Sequence, residues 1–304
     1  MAKRKKKSTQ KNTLYIVIFA LCVLFGSAIY YWGSSFADDF ITPPDIPEGV
    51  LEVHFIDVGQ ADCILIREPG GKDMLIDAGN PEDWKLINNY LGAQGVSEFD
   101  KVIFTHPHND HIGSAAMIVN NYPITQLFMP DVVNTSKSFE NLINAIEAQS
   151  MRVTRPQPGS VHYLGEAKFT ILAPNDTEYK EMNNYSIVIK LEYGETSFML
   201  TGDAEKKSEK EILEMAKYSA ISLESTFLKA GHHGSKSSSS KNFVEAVMPQ
   251  YAHITCAEEN SYSHPHDETL ETFTANGVKY TRADINGHVI VYTDGMELNV
   301  ITEK

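Results

Sequence analysis

Cysteine is scarce. The 304-residue chain has three, too few for a disulfide framework. Cys22 lies inside an apolar run. Cys63 and Cys256 sit in strand-like stretches, where a small buried hydrophobe is the ordinary reading. Basic residues are also short, with 26 Lys and Arg against 40 Asp and Glu and a net charge of -14. The shortage is uneven. The first 37 residues hold six basic side chains (Lys3, Arg4, Lys5, Lys6, Lys7 and Lys11) and no acid, so the remainder carries 20 against 40, a net of -20. A body that acidic does not hold a polyanion by a general electrostatic footprint, so any nucleic-acid role must rest on a local site. There is no internal repeat and no second linker. With 42% hydrophobic and 22% charged residues, the bulk can bury a core and is not a disordered chain.

What is present begins with an address. Leu14 to Trp32 is nineteen residues without charge or proline, close to the ~20 needed to cross a bilayer. The basic block precedes it, and Asp38 and Asp39 follow. The positive-inside rule therefore expects residues 1–13 to be a cytoplasmic tail and the body to lie outside the cell membrane. Tyr30, Tyr31 and Trp32 suit an interfacial belt. Ser35-Phe36-Ala37 also fits a cleavage site. Two expectations stand: a single-pass anchor over residues 14–32 with an extracellular catalytic domain, or a signal removed after Ala37 and a secreted body. Residues 33–49 read as a linker whose Pro-rich part is stiff and extended, and residues 50–304 as one domain.

That domain alternates strands and helices. Period-2 and short apolar patterns predict strands over 51–57, 63–66, 74–77, 101–105, 169–172, 187–193, 197–201 and 227–229, with late strands near 254, 278–281, 289–292 and 298–301. Helical patterns cover 82–91, 112–121, 138–149, 204–217 and 241–247. Two groups of strands, each followed by helices, predict an α/β domain of two packed sheets with helices outside.

The chemistry centres on Thr105-His106-Pro107-His108-Asn109-Asp110-His111-Ile112-Gly113, directly after an apolar strand. Imidazole and carboxylate donors so dense on one loop suit zinc or manganese. His106 and His108 alternate and point the same way. Asp110 and His111 begin a helix and can serve a second ion. Asp203, ending the strand that runs to Thr201-Gly202, is the candidate bridge between two divalent ions. The strand Phe227–Lys229 ends on His232 and His233. His232 is assigned to the second ion, although spacing leaves the choice between the two open, and His233 or His264 is the expected proton donor. Asp57, Asp62 and Asp77 end strands or turns and can orient ligand histidines. Ser235, Lys236 and the serines after them, followed by a helix, can cradle a phosphate, and His266 can contact it. Lys229, Lys236 and Lys241 suggest a basic rim.

With these strings in hand, the chain resembles the metallo-β-lactamase superfamily. More narrowly it resembles the metallo-β-lactamase domain of the competence DNA-uptake protein ComEC and its free-standing relatives. The resemblance runs over residues 51–303 through His54-Phe-Ile-Asp-Val-Gly-Gln60, Leu75-Ile-Asp-Ala-Gly-Asn80, the histidine run, Asn183-Asn184-Tyr185-Ser186-Ile187, Thr201-Gly202-Asp203, Lys229-Ala-Gly-His-His-Gly-Ser235 and Ser261-Tyr-Ser-His-Pro-His266. It implies an αββα four-layer sandwich. Ala61 and Ser114 stand where the ComEC family usually has glycine. The membrane spans of a channel are absent, so transport is not carried over. Many superfamily members have a further histidine ligand before the bridging aspartate. Here that stretch offers His162 and then Asn183 to Ser186, which leaves the first ion open and Asn184 as a substrate contact. The implied chemistry is hydrolysis by metal-activated water.

The foremost expectation is an exported phosphodiesterase or nuclease acting on DNA. The alternatives are an esterase on a cell-wall phosphodiester such as teichoic acid, a lactonase or β-lactam hydrolase, and a non-catalytic metal-stabilised module. The expected partners are a phosphodiester and the membrane, and no stable protein partner is inferred.

Overall fold

A computed structural model describes residues 45–304. The expected cytoplasmic tail, the apolar segment 14–32 and most of the linker lie outside the described residues. Among the described residues no helix is long and apolar enough to cross a membrane.

Strand alternation sorts side chains into three cores. On β1 (Leu51–Phe55), Leu51, Val53 and Phe55 face inward. On β2 (Ile64–Glu68) and β3 (Lys72–Ile76), Ile64, Ile66, Met74 and Ile76 join them, while Leu65 and Leu75 point to the opposite face. Both faces are therefore apolar, which is why these segments read as near-continuous hydrophobic runs. The chain continues through helix α1 (Trp84–Ala93), β4 (Phe99–Ile103), α2 (Asn109–Ile112), α3 (Ala115–Asn121), β5 (Ile124–Phe128), α4 (Lys137–Ala148) and β6 (Val153–Thr154). The second half holds β7 (Val161–Leu164), β8 (Ala167–Ala173), β9 (Val188–Tyr193), β10 (Thr196–Leu200), α5 (Lys206–Ser219), β11 (Phe227–Lys229), α6 (Lys241–Val247), β12 (Tyr251–Ile254), α7 (Asp267–Ala275), β13 (Lys279–Arg282), α8 (Ala283–Asn286), β14 (Val289–Thr293) and β15 (Leu298–Thr302).

One sheet has the order β15-β14-β1-β2-β3-β4-β5-β6 and the other β13-β12-β11-β10-β9-β8-β7. Phe55, Ile103 and Phe128 of the first pack against Phe169, Phe198 and Phe227 of the second in the central core. Ile87, Leu91, Ile118, Leu142 and Ile146 lay helices α1, α3 and α4 on the outer face of the first sheet. Ile212, Phe243, Val247 and Phe273 do the same for α5, α6 and α7 on the second. The result is the four-layer arrangement, two mixed sheets between two helical layers.

Several features depart from the predicted ranges, β6, β7 and α7 among them. The helix expected over 112–121 is broken in two after Ile112, and β5 forms where no strand is predicted. β5 is held by parallel pairing to β4, with Val102 opposite Leu127, a long-range term its mixed sequence does not announce.

Parallel pairing also places the site. β3 and β4 run parallel, as do β10, β11 and β12. Their carboxyl ends emerge together, which is where open α/β sheets gather binding loops.

Candidate metal centre

The histidine run leaves β4 and closes into the single turn of α2. Three backbone bonds stitch it to the turn after β3: Ala78 N to His111 O at 2.7 Å, Gly113 N to Gly79 O at 2.8 Å, and Ser114 N to Ala78 O at 3.1 Å. A Cβ at Gly113 would lie 2.2 Å from the carbonyl carbon of Asn80, so glycine is required for this close approach, and the helix breaks at Ser114, whose backbone leaves the helical region.

His111 donates from Nδ1 to Asp77 Oδ2 at 2.7 Å. Its Nε2 then faces Asp203 Oδ2 at 3.3 Å and Asp110 Oδ2 at 3.9 Å. His233 donates from Nδ1 to the Thr255 carbonyl at 2.9 Å. Its Nε2 lies 3.4 Å from Asp110 Oδ2 and 3.5 Å from Asp203 Oδ2. Both Nε2 atoms and Asp203 Oδ1 are buried without a hydrogen-bond partner. Asp110, His111, Asp203 and His233 offer ligand atoms all within 4.8 Å of one another. With Nδ1 committed as donor, each Nε2 presents a lone pair to carboxylate oxygens, an arrangement that only a proton or a cation between them makes favourable. The donor set fits a divalent cation.

The electrostatics agree. Burial alone would lower the pKa of His111, but Asp203, Asp77 and Asp110 overcome it and hold the imidazole well above its ordinary value. His233 is raised in the same way, against burial, by Asp203, Asp110 and Asp62. Burial would raise Asp203, yet His233 and His111 hold its carboxyl well below the usual range.

His106 and His108 form a second pair of donors. His106 Nε2 and His108 Nδ1 are 3.0 Å apart, near the ~3.3 Å between two nitrogens on one tetrahedral zinc at ~2.0–2.1 Å each. Burial lowers both pKa values, with His111 adding to the effect on His106, so both rings are neutral and able to coordinate. Where many of the family have a further histidine, Ser186 is fully buried. Its Oγ accepts from Asp203 N at 3.1 Å and lies 3.3 Å from His106 Nδ1.

Several residues sit differently from expectation. His232 and His233 both have positive φ, 49° and 52°, a left-handed backbone that costs on the order of 1–2 kcal/mol per residue. In that turn His233 points in and His232 points out. His232 Nε2 stays 3.8 Å from Asp203, and its Nδ1 lies 3.1 Å from Ser237 Oγ and 3.4 Å from Glu205. His233, assigned above to proton donation, therefore stands in the ligand group, and His232 stands on the cleft wall. Burial and the neighbouring His232, His233 and His266 push His264 down to about 4, so it is a neutral hydrogen-bonding ring rather than a ready acid.

Asn184 accepts from Glu205 N and Ser208 N and donates to Glu205 Oε2. It caps α5 and does not line the cleft. Asp77 and Asp62 back the ligands. Asp57 instead accepts from Gly59 N at 3.1 Å and caps its own turn. Ser235 is buried and faces Ser237 Oγ at 3.0 Å. His266 Nδ1 accepts from Lys236 N at 3.1 Å, which ties two loops together. The expected basic rim is not there. Lys236 pairs with Glu268 and Lys241 with Glu245. Lys229 is fully buried, with Nζ 2.6 Å from Asp62 Oδ2, 3.0 Å from Gly202 O and 3.9 Å from Asp203 Oδ1.

Sequence reasoning missed Thr255, which orients His233 and bonds Asp62 Oδ1 at 2.6 Å. It also missed Gln60 and Tyr262, which line the cleft. Thr255 follows an apolar strand just as Asp77 and Asp203 do, and that position was the available signal. The cleft above the ligand group has a volume of about 510 Å3 and is lined by Gln60, Asp110, Asp203, His232, Tyr262 and His264 among others. Among the described residues no lysine or arginine lines it.

Known proteins resemble this chain. ComE operon protein 3 of Bacillus subtilis is 30% identical over 82% of this chain and 34% of its own length. Recombination protein 2 of Haemophilus influenzae is 29% identical over 83% of this chain and 30% of its own. The chain thus spans about a third of the length of these relatives. Among solved structures, the metallo-beta-lactamase fold protein YhfI from Bacillus subtilis superposes with a TM-score of 0.52 at 14% identity, over 76% of this chain and 96% of that one. The pattern of the metallo-beta-lactamase superfamily matches residues 56–254, a stretch that runs through both sheets and carries every ligand candidate above, and the chain belongs to that superfamily.

Proposed function

We propose that this protein is a metal-dependent phosphodiesterase acting on DNA, held at the outer face of the cell membrane by residues 14–32. The observation that carries the reading is the convergence of His111 Nε2, His233 Nε2 and Asp203 Oδ1, all buried without a hydrogen-bond partner, beneath an open cleft. Asp110, His111, Asp203 and His233 would hold one divalent ion, and His106 and His108, with Asp203 shared, the other. Bound there, such ions supply Lewis acidity to a phosphoryl oxygen and bring the pKa of a water to about 7.

The chain's own residues do the rest. Asp77 and the Thr255 carbonyl fix the tautomers of His111 and His233. Asp110, with its side chain 30% exposed, faces the cleft and orients the attacking water. His232 stands on the wall with Nδ1 held by Ser237 and Glu205, placed to hand a proton to the departing alkoxide. Water adds across one P–O bond, giving a phosphomonoester and an alcohol. With Ser186 in place of a histidine, the first ion would have fewer protein ligands, and manganese should activate at least as well as zinc. A relative named for recombination is consistent with a DNA substrate. The acidic body, and a cleft that no lysine or arginine lines among the described residues, favour the second reading, a cell-wall phosphodiester.

One experiment separates these readings. The full chain is incubated with plasmid, single-stranded DNA, teichoic acid, a bis-phosphate ester, a lactone and a β-lactam, with manganese or zinc. Cleavage of DNA and of the simple ester is expected. His233→Ala should lose both bound metal and activity. His232→Ala should keep its metal and lose about 10²- to 10⁴-fold in kcat. Cleavage of lactones or β-lactams without any phosphodiester refutes the proposal. Placement outside the membrane predicts that protease treatment of intact cells releases the body, and a resistant full-length chain refutes it.

A further inference from the structure

Tyr262 stands at the cleft with 63% of its surface exposed. It lines the same cleft as Asp110, Asp203 and His232. Its ring stacks on His264, with centroids 5.5 Å apart and planes 24° from parallel, and His264 meets His232 edge-on at 5.4 Å. One face of Tyr262 is thus covered and the other is not.

The loop that carries it is held by polar bonds rather than by burial. Asn260 Oδ1 accepts from Tyr262 N at 3.2 Å and from His264 N at 2.9 Å. Asn260 Nδ2 donates to His264 O at 2.7 Å and to Ala257 O at 2.9 Å. Gln60 braces the other side, donating to His264 Nδ1 at 3.1 Å and accepting from Ala257 N at 3.2 Å. A large ring is kept fixed and exposed beside a metal centre, where packing does not need it.

The charge distribution says what such a ring is for. The body beyond residue 37 carries -20, and no lysine or arginine lines the cleft among the described residues. Beyond what ions in the centre would supply, affinity for a nucleic acid must then come from a term that does not depend on phosphate charge, and base–aromatic stacking is such a term.

We propose that Tyr262, backed by His264, is the stacking platform for an unpaired nucleobase next to the scissile phosphodiester. The proposal rests on the phosphodiesterase reading and adds that the substrate is recognised through an unstacked base. Every base has a π-face, so the platform gives little sequence preference. A duplex, whose bases stack on one another, is the poorer substrate.

The test uses the full chain with manganese and three oligonucleotides of one length: a single strand carrying 2-aminopurine, its duplex, and a strand with abasic residues. A phosphorylcholine ester serves as competitor. The wild type should prefer the base-bearing single strand over the abasic one by about 5- to 100-fold in kcat/KM, mostly through KM, and should quench 2-aminopurine fluorescence. Tyr262→Ala should lose both the preference and the quench, and Tyr262→Phe should keep them. Equal cleavage of base-bearing and abasic strands by the wild type, or a preference that survives in Tyr262→Ala, overturns the platform and leaves the phosphodiesterase reading standing. No cleavage of any strand overturns both. Competition by the choline ester that depends on Tyr262, without any base preference, assigns the ring to a quaternary ammonium group and overturns the nucleobase.

Discussion

Asp203→Ala is expected to strip the chain of bound manganese or zinc and to lower phosphodiester hydrolysis by at least ~10³-fold. Asp203 is the buried carboxylate that faces the Nε2 atoms of both His111 and His233, at 3.3 and 3.5 Å. Its second oxygen is buried and has no hydrogen-bond partner. Loss of a residue that merely supports a ligand costs ~10- to 100-fold in metal affinity, and loss of a carboxylate shared between ions should cost more. The backbone should survive, because Asp203 N is held by Ser186 Oγ whatever the side chain. Elemental analysis and a bis-phosphate ester assay on the same preparations decide the matter. Metal content equal to wild type would remove the bridging role, and full activity with reduced metal would show that one ion suffices.

Lys229→Met should lower folding stability by about 3–5 kcal/mol, the usual penalty for breaking a buried ion pair from one side. Lys229 and Asp62 are each buried, and their charged atoms are 2.6 Å apart. Removing the ammonium leaves Asp62 Oδ2 in a dry interior beside Asp203 and Asp77. Methionine matches the stem but cannot donate to the Gly202 carbonyl, a 3.0 Å bond. Asp62→Asn added to Lys229→Met should recover much of the loss, because the uncompensated charge is then gone. Urea unfolding in chelator measures this without the stabilisation that metal binding adds. A loss under ~1 kcal/mol would mean that the pair is hydrated, contrary to its burial.

Much of the candidate metal centre was legible in the chain. Three histidines and an aspartate at fixed spacing after an apolar strand are a local pattern, and local patterns survive folding. Asp203 was readable for the same reason, as a carboxylate at the end of an apolar strand. That rule alone does not separate Asp77 from Asp57. Both end apolar segments, but Asp77 leaves β3, which lies beside β4, and meets His111. Asp57 leaves β1, two strands further away in the sheet order, and caps its own turn. Strand order is a long-range property, and no spacing reports it.

The amino-acid sequence by itself determined the layered fold, the family resemblance and the donor-rich loop, because hydrophobic period and ligand spacing are written within a few residues. Tertiary structure decided the direction of each side chain. Two adjacent left-handed residues turned His233 inward and His232 outward. The meeting of β11 with the turn at Asp62 buried Lys229, which sequence reading had placed on a basic rim. The packing of α5 took Asn184 for a helix cap. Stacking on His264 set Tyr262 at the cleft. In each case the deciding partner is remote in the chain or depends on a backbone conformation that neighbouring residues do not specify, so only the folded arrangement of strand ends and loops determines which groups meet.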